Sequence, residues 1–470
     1  MQTNHNFNGK YIFCISLVAA MGGLLFGYDW VVIGGARAFY EPFFGLTGEE
    51  NAWMAGWAAG SALLGCLAGA ILSGAITDRL GRKRILILAA VMFTASAVWT
   101  ALAGSLTGFV LARILGGVGI GLASNVSPMY IAEVSPSSMR GRFVSINQLT
   151  IVIGVLAAQL VNLAIYNYAP IDTAATAATI LESWNGQQGW RWMFAAEALP
   201  AAGFLVLAFF IPESPRWLIK KNRRSEAATV LEKIGGKAYA DFEVDDIGQT
   251  LSKDTDRFRL RELLQKKLFG VVLLGVFIAM FQQWCGINTI FYYASEVFAS
   301  AGYDLSDQMT NIVWTGGVNL VFTFVAIFVV DKLGRRPLML FGAGGLAVIY
   351  AIMGALYLFE VEGAFVLVIV LAAIACYAMT LAPITWVLLS EIFPNRVRGA
   401  AMAVCVSSLW IANFLLVQTF PPINAALGAS GTFWLYGIIC AVGFFVFALK
   451  VPETKGKSLE DIERELTSQN

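Results

Sequence analysis

Asp78-Arg79-Leu80-Gly81-Arg82-Lys83 returns 253 residues later as Asp331-Lys332-Leu333-Gly334-Arg335-Arg336, each copy in the gap between two long apolar runs. Two further pairs keep the register: Glu133-x-x-Pro136-x-x-x-Arg140-Gly141 with Glu391-x-x-Pro394-x-x-x-Arg398-Gly399, and Pro212-Glu213-Ser214 with Pro452-Glu453-Thr454. Their offsets, 258 and 240, differ from the first only as loop insertions would make them. The chain is a duplicated membrane protein. Duplicated halves in parallel orientation are how many secondary transporters build a central path that opens alternately to either side, so transport is the leading reading before any substrate residue is considered.

Composition agrees. A chain that is 58% hydrophobic and 13% charged, with mean hydropathy +0.69, needs lipid as the solvent for most of its surface. A helical span takes about 20 apolar residues. Six fit in each half, at 11–35, 52–76, 84–104, 107–132, 143–166 and 190–211, then 268–298, 309–330, 337–358, 364–390, 400–420 and 431–450. The expected class is an all-α integral membrane protein of 12 transmembrane helices in two six-helix bundles: an N-terminal bundle over 1–212, a helical linker over 213–267, a C-terminal bundle over 268–451 and a tail over 452–470.

With twelve spans both termini share one side. The loops on that side hold 29 of the 32 Lys and Arg, leaving Arg37, Arg113 and Arg191 elsewhere. By the positive-inside rule the termini and linker are cytoplasmic and the protein sits in the plasma membrane, or the inner membrane where there are two. No cleavable signal peptide is evident, because the first apolar run is span-length. Between Glu213 and Glu262, 21 of 50 residues are charged. This segment must lie in water, with a short amphipathic helix at Ser225 to Lys233 stopped by Gly235-Gly236 and a further turn at Phe258 to Leu264. The other side carries one long loop, Asn167 to Gly189, without chemical signature.

Six cysteines lie singly in apolar runs without metal-ligand spacing, and read as packing residues. The one histidine, His5, is in the N-terminal tail, so no His-based relay is expected. Phosphate-cradling, hydrolase and nucleic-acid motifs are missing from the sequence. No cofactor, metal or nucleic acid is expected.

Taken together, Asp78-Arg79-Leu80-Gly81-Arg82-Lys83, Pro212-Glu213-Ser214-Pro215-Arg216, Gln282-Gln283-x-x-Gly286-x-Asn288 with Tyr292-Tyr293, and Pro383-Ile384-Thr385-Trp386 ahead of Glu391 closely resemble the sugar porters of the major facilitator superfamily. The resemblance covers nearly the whole chain and implies the major facilitator fold. It carries sugar binding to Gln159, Gln282, Gln283, Asn288, Asn319, Trp386 and Asn413, places Trp410 beside them, and makes Tyr292 and Tyr293 part of a gate. One departure stands out: some proton-coupled relatives have glutamine before the tryptophan of the eleventh span, where this chain has Leu409.

The residue types suit a monosaccharide. Each sugar hydroxyl wants a donor and an acceptor, which an amide supplies on one side chain, while indole adds an apolar plate and one N–H. Gln148 and Gln159 are eleven residues apart and return to nearly one face of a helix, with Asn162 on a neighbouring stripe. The alternative is that such amides only bond neighbouring helices, and Trp386 and Trp410 could serve packing alone.

Two charge sets complete the reading. Asp78, Arg82, Glu133, Arg140 and Glu213 in one half, repeated by Asp331, Arg335, Glu391, Arg398 and Glu453, place acids and bases at adjoining helix ends, where ion pairs can latch the inner side; plain anchoring of helix ends is the alternative. Asp29 lies deep in the first span, roughly 28 Å from Lys10, and Arg113 roughly 9 Å down the fourth span from the other face, so their depths agree. An intramembrane carboxylate is functional by default. In the resemblance, proton-coupled members pair an aspartate here with an arginine in the fourth span, whereas uniporters tend to a neutral residue. Glu197 is a third candidate, and a static ion pair is the alternative. The expected function is uptake of a hexose or pentose by alternating access in symport with protons, by a protein working as a monomer in lipid. A facilitator, and more distantly a sugar sensor, are the alternatives; a drug porter or membrane enzyme fits the amides and the lack of an assembled catalytic set less well.

Overall fold

The first span starts where the sequence asks it to. Asn8 accepts from the Tyr11 N–H at 3.1 Å through its side chain and caps a helix over Gly9–Phe44, while its own N–H donates to the Ile234 carbonyl of the linker at 2.8 Å. The linker therefore packs beneath the N-terminal half. The structure is a computed structural model and describes residues 7–171, 176–253, 263, 266–393 and 397–455; of Asp331 it describes the backbone only. Of the helical turn expected at Phe258 to Leu264 only Leu263, which is buried, is described, and the tail beyond 455 lies outside the described residues.

Eleven helices among the described residues are long and apolar enough to cross a membrane. In the first half they are Gly9–Phe44, Ala52–Leu80, Arg82–Leu102, Leu106–Val134, Arg140–Tyr166 and Asn185–Ala208. In the second they are Leu268–Tyr292, Leu305–Leu333, Arg335–Leu358, Ala364–Ile392 and Arg398–Lys450. The last has 53 residues and contains Gly428 with φ 66° and ψ 175°, which no helix contains. At about 1.5 Å per residue it would run roughly 80 Å, more than twice the hydrocarbon thickness. It is two spans joined at Gly428, so the chain crosses twelve times, six in each half.

Glycine lets two of these helices touch backbone to backbone. A Cβ on Gly27 would overlap the Ile151 carbonyl, and one on Gly154 the Leu24 carbonyl, so the first and fifth spans meet as small-residue faces do in membranes. Other spans are broken where chemistry is expected. Gly286, at φ 86°, divides the seventh into Lys266–Trp284 and Ile287–Tyr292. Thr380 interrupts the tenth between Ala364–Met379 and Leu381–Ile392. The sixth keeps helical backbone angles through Glu197 (φ −61°, ψ −28°), although Pro200 cannot donate to the carbonyl one turn back.

In the linker, Pro215–Lys220, Arg224–Gly235 and Lys237–Lys253 are helical. The middle one buries Ala227, Val230, Leu231 and Ile234, a single helical stripe. Across the membrane, the segment expected to be loop contains a helix over Ala177–Glu182, because Thr176 and Thr179 form a reciprocal capping box.

The polar contacts seen between the halves lie toward the face opposite the linker, hereafter the far face. Gln159 donates to Thr315 Oγ1 at 3.1 Å, Ser295 to the Gly34 carbonyl at 3.0 Å and Gln418 to the Trp53 carbonyl at 2.8 Å, and Arg37 pairs with Glu296 at 3.1 Å. Aromatic rings close the same seam: Trp30 lies 5.1 Å from Phe291 and 6.4 Å from Tyr292 between ring centroids. The molecule is shut at its far face.

Candidate functional site

Beneath that seam the break at Gly286 turns three amides toward one another. Asn288 Nδ2 donates to Gln283 Oε1, and Gln283 Nε2 to Gln282 Oε1. Gln282 Nε2 completes the series by donating to the Tyr377 hydroxyl of the tenth span at 2.6 Å. A continuous helix would set these side chains at fixed angular steps; the left-handed residue between them lets Asn288 fold back onto Gln283. All three are buried.

The eleventh span is tied alongside by Trp284, whose Nε1 donates to the Ala412 carbonyl at 2.9 Å. This brings Trp410 and Asn413, both buried, to the same region: Trp410 packs on Phe26 of the first span at 6.0 Å, and the Tyr292 hydroxyl bonds the Asn413 side chain. From the other half comes Gln159 on Thr315, with Asn319 one turn further along the eighth span. Trp386 is 42% exposed, on the linker-side half of its span, below the closed seam. Gln148 is also exposed, while Asn162 donates to the Val32 carbonyl at 3.0 Å and holds the first span.

Bonding capacity is left over. Asn288 Oδ1, Gln159 Oε1, Asn413 Oδ1 and Trp410 Nε1 are buried without a hydrogen-bond partner. Buried polar groups are otherwise satisfied almost everywhere in proteins. Three acceptors and one donor, bordered by aromatic rings, complement the hydroxyls and apolar faces of a small polyol. Sequence reading missed Tyr377, Thr315 and Phe26. A mid-span tyrosine hydroxyl marks the first, but the other two look like ordinary packing residues until the helices are assembled.

The second cluster is ionic. Arg113 pairs through Nη1 with Asp29 Oδ1, and its Nη2 donates to the Asp29 carbonyl at 3.3 Å. Its guanidinium lies over the Phe194 ring at 5.3 Å. Glu197, in the sixth span, meets Asp29 carboxyl to carboxyl. Asp29, Arg113 and Glu197 are each at most 2% exposed. Asp29 Oδ2 and Glu197 Oε1 have no hydrogen-bond donor. One guanidinium thus faces two carboxyl groups in a dry setting, and a proton shared between them leaves the set neutral. Tyr292, an expected gate residue, packs against Trp30, the neighbour of Asp29 in the first span, at 6.4 Å between ring centroids. Tyr293 donates to the Val417 carbonyl.

On the linker face the two motif sets repeat one geometry. Gly81 (φ 94°, ψ 167°) and Gly334 (φ 91°, ψ 166°) make matching turns. Arg82 is held bidentately by Glu133, both bonds at 2.8 Å, and Glu133 also accepts from Ser214 Oγ. The counterpart is Arg335 with Glu391 at 3.1 Å and Thr454 donating to Glu391 at 2.6 Å. Glu213 accepts from the N–H groups of Arg82 and Lys83 at 2.9 and 3.2 Å, as Glu453 does from Arg335 and Arg336 at 3.0 and 3.2 Å. Asp78 pairs with Lys220 at 2.7 Å. Arg140 and Arg398 donate to the carbonyls of Ala132 and Phe393. The ion pairs expected to latch the inner side are formed at these adjoining helix ends, Arg82 with Glu133 in one half and Arg335 with Glu391 in the other.

Burial disfavours the charge on Asp78, yet the hydrogen bond and charge of Lys220, with Arg82, outweigh it and hold the carboxyl below its ordinary range. At Glu453 burial is likewise outweighed, by the N–H groups of Lys455, Arg335, Arg336 and Thr454.

Residues 15–466 match the family described as "Sugar (and other) transporter". The chain is 39% identical to the D-xylose-proton symporter of Escherichia coli, over 98% of this chain and 96% of that protein. To the glucose facilitated diffusion protein of Zymomonas mobilis it is 34% identical, over 97% of each. The inward-open structure of the Escherichia coli xylose transporter superposes with a TM-score of 0.83, at 38% identity over 97% of this chain and 99% of that one. With 6-bromo-6-deoxy-D-glucose bound, the same transporter gives 0.77 at 38% identity, over 98% and 100%. With twelve spans, a doubled linker-face motif and this match over nearly its full length, the chain belongs to the sugar porter family of the major facilitator superfamily.

Proposed function

We propose that this protein carries a monosaccharide into the cell by alternating access, in symport with protons. The observation that carries the coupling is the buried set Asp29, Glu197 and Arg113: two carboxyl groups in contact beside one guanidinium. Removing the shared proton leaves a net negative charge in a low-dielectric site, which favours rearrangement until water or a new partner relieves it. Asp29 is on the first span and Glu197 on the sixth, so their ionisation acts on helices that also shape the path. Tyr292 packs on Trp30, the neighbour of Asp29, and bonds Asn413 of the sugar site.

The sugar site is the ring formed by Gln159, Gln282, Gln283, Asn288, Asn319, Trp410 and Asn413, with Trp386 at its linker side. The substrate class follows from the amides and from relatives that carry xylose or arabinose. The linker face, rich in Lys and Arg, is the cytoplasmic one, and the far seam is then the closed outer gate of an inward-facing conformation.

The test uses purified protein in liposomes with a pH-sensitive dye inside and a panel of labelled pentoses and hexoses. Sugar entry that acidifies the lumen, and an imposed pH gradient that concentrates sugar, are the expected results. Sugar equilibration without either effect assigns the protein as a facilitator and leaves Asp29 a structural ion pair.

A further inference from the structure

The far seam holds a charged cluster that neither the sugar ring nor the carboxyl pair uses. Arg37 lies eight residues, roughly 12 Å, beyond Asp29 along the first span, and is only 6% exposed. Its Nε is 2.9 Å from Glu41 Oε1, one turn on in the same helix. Its other partners belong to the opposite half. Nη2 is 3.1 Å from Glu296 Oε2, and the guanidinium carbon sits 4.0 Å above the centroid of the Tyr293 ring. Asn424 of the eleventh span donates to Glu296 Oε1 at 2.6 Å, and Tyr293 is itself fixed by Val417 and by stacking on Phe420 at 4.3 Å. Next to this cluster Ser295 bonds the Gly34 carbonyl, and the Gly34 Cα lies so close to the Phe291 carbonyl that no Cβ would fit.

The partition of partners is what gives this cluster a function. Separating the halves at the far face removes Glu296 and Tyr293 from Arg37 but leaves Glu41, which travels on the same helix. The guanidinium therefore keeps a counter-ion when the seam opens, and loses a second carboxylate and an aromatic seat. Only interactions that differ between two states bias their equilibrium, and the Arg37–Glu296 and Arg37–Tyr293 contacts differ completely.

We propose that Arg37 is the bolt of the far-side gate: a gating residue, apart from the sugar and proton sites, that holds the seam closed by inserting between Glu296 and Tyr293 of the opposite half. The proposal rests on alternating access alone, and not on the identity of the sugar or on proton coupling, so it is tested without either. Peptide-level hydrogen–deuterium exchange on the full chain in lipid nanodiscs, without sugar, compares the wild type with Arg37→Met. Exchange around residues 31–41 and 287–299 is expected to accelerate by roughly tenfold or more, tenfold being the lower bound for breaking a partly buried ion pair, while linker-side segments around 143–151 and 381–392 slow as the population moves to the far-open state. The double variant Arg37→Glu with Glu296→Arg keeps one cation beside two carboxylates and is expected to return both faces toward wild type. Faster exchange on both faces would mean lost packing and no gate. Unchanged exchange, or a double variant no closer to wild type than Arg37→Met, would equally overturn the assignment. Wild-type protein given sugar reports separately whether the two faces respond in opposite senses, which distinguishes failure of the bolt from failure of alternating access.

Discussion

Glu197 meets Asp29 carboxyl to carboxyl where the first, fourth and sixth spans converge on Arg113. Asp29→Asn removes one ionisable group and leaves Arg113 with Glu197 alone, a pair that is neutral without a proton. Uphill, pH-driven accumulation of sugar is expected to be lost, while equilibrium exchange of labelled for unlabelled sugar continues. Proteoliposomes with and without a pH gradient separate the two activities; a variant that still accumulates sugar removes Asp29 from the coupling.

Glu197→Gln tests the other member. It keeps the size and a donor toward Asp29 but fixes the neutral form, so the pH dependence of transport is expected to flatten. If the pH profile of initial rates is unchanged, the proton resides elsewhere.

Gln283→Ala and Asn288→Ala break the amide series at adjacent links. Each strands polar groups of neighbour and substrate at about 1–3 kcal/mol, which corresponds to roughly 5- to 150-fold weaker sugar affinity. Isothermal titration with the transported sugar reads this directly, and normal affinity in both variants returns these amides to a packing role.

Gly81 and Gly334 occupy backbone conformations that side chains rarely adopt. A Cβ at either would also press on the carboxylate of Glu213 or Glu453. Alanine at either position is expected to cost about 1–3 kcal/mol, seen as a lower melting temperature in detergent; a melting temperature equal to wild type would show that the turn relaxes freely.

Asp78 and Glu453 ionise below their ordinary range in the folded protein. The stability they add is fully present above the usual carboxylate pKa of about 4 and is lost as pH falls below it through the lowered folded values. Melting temperature against pH should therefore drop on acidification less steeply in Asp78→Asn with Glu453→Gln than in wild type; parallel curves would show that these groups do not contribute.

Much of the architecture is written in local chemistry. The paired motifs announce the duplication, apolar run length announces the spans, and the Lys and Arg asymmetry announces which loops share a side, because each depends only on the partition of side chains between water and lipid. Gln282, Gln283 and Asn288 are visible for the same reason: amides are rare and costly in such a run. Depth arithmetic even brought Asp29 and Arg113 to one level.

Tertiary structure decided what depends on the relative placement of spans. Gly286 folds Asn288 back onto Gln283, which helical periodicity alone would not do, and the packing of the first and sixth spans brings Glu197 to Asp29. Arg37 reads in sequence as one of three basic residues off the terminal side, since its partners Tyr293 and Glu296 lie more than 250 residues away. The linker-face acids and bases read in sequence only as a set at adjoining helix ends; the packed structure pairs Arg82 with Glu133 and Arg335 with Glu391, each within one half. Sequence fixes what a side chain can bond; which half supplies the partner is settled only when twelve helices pack against one another.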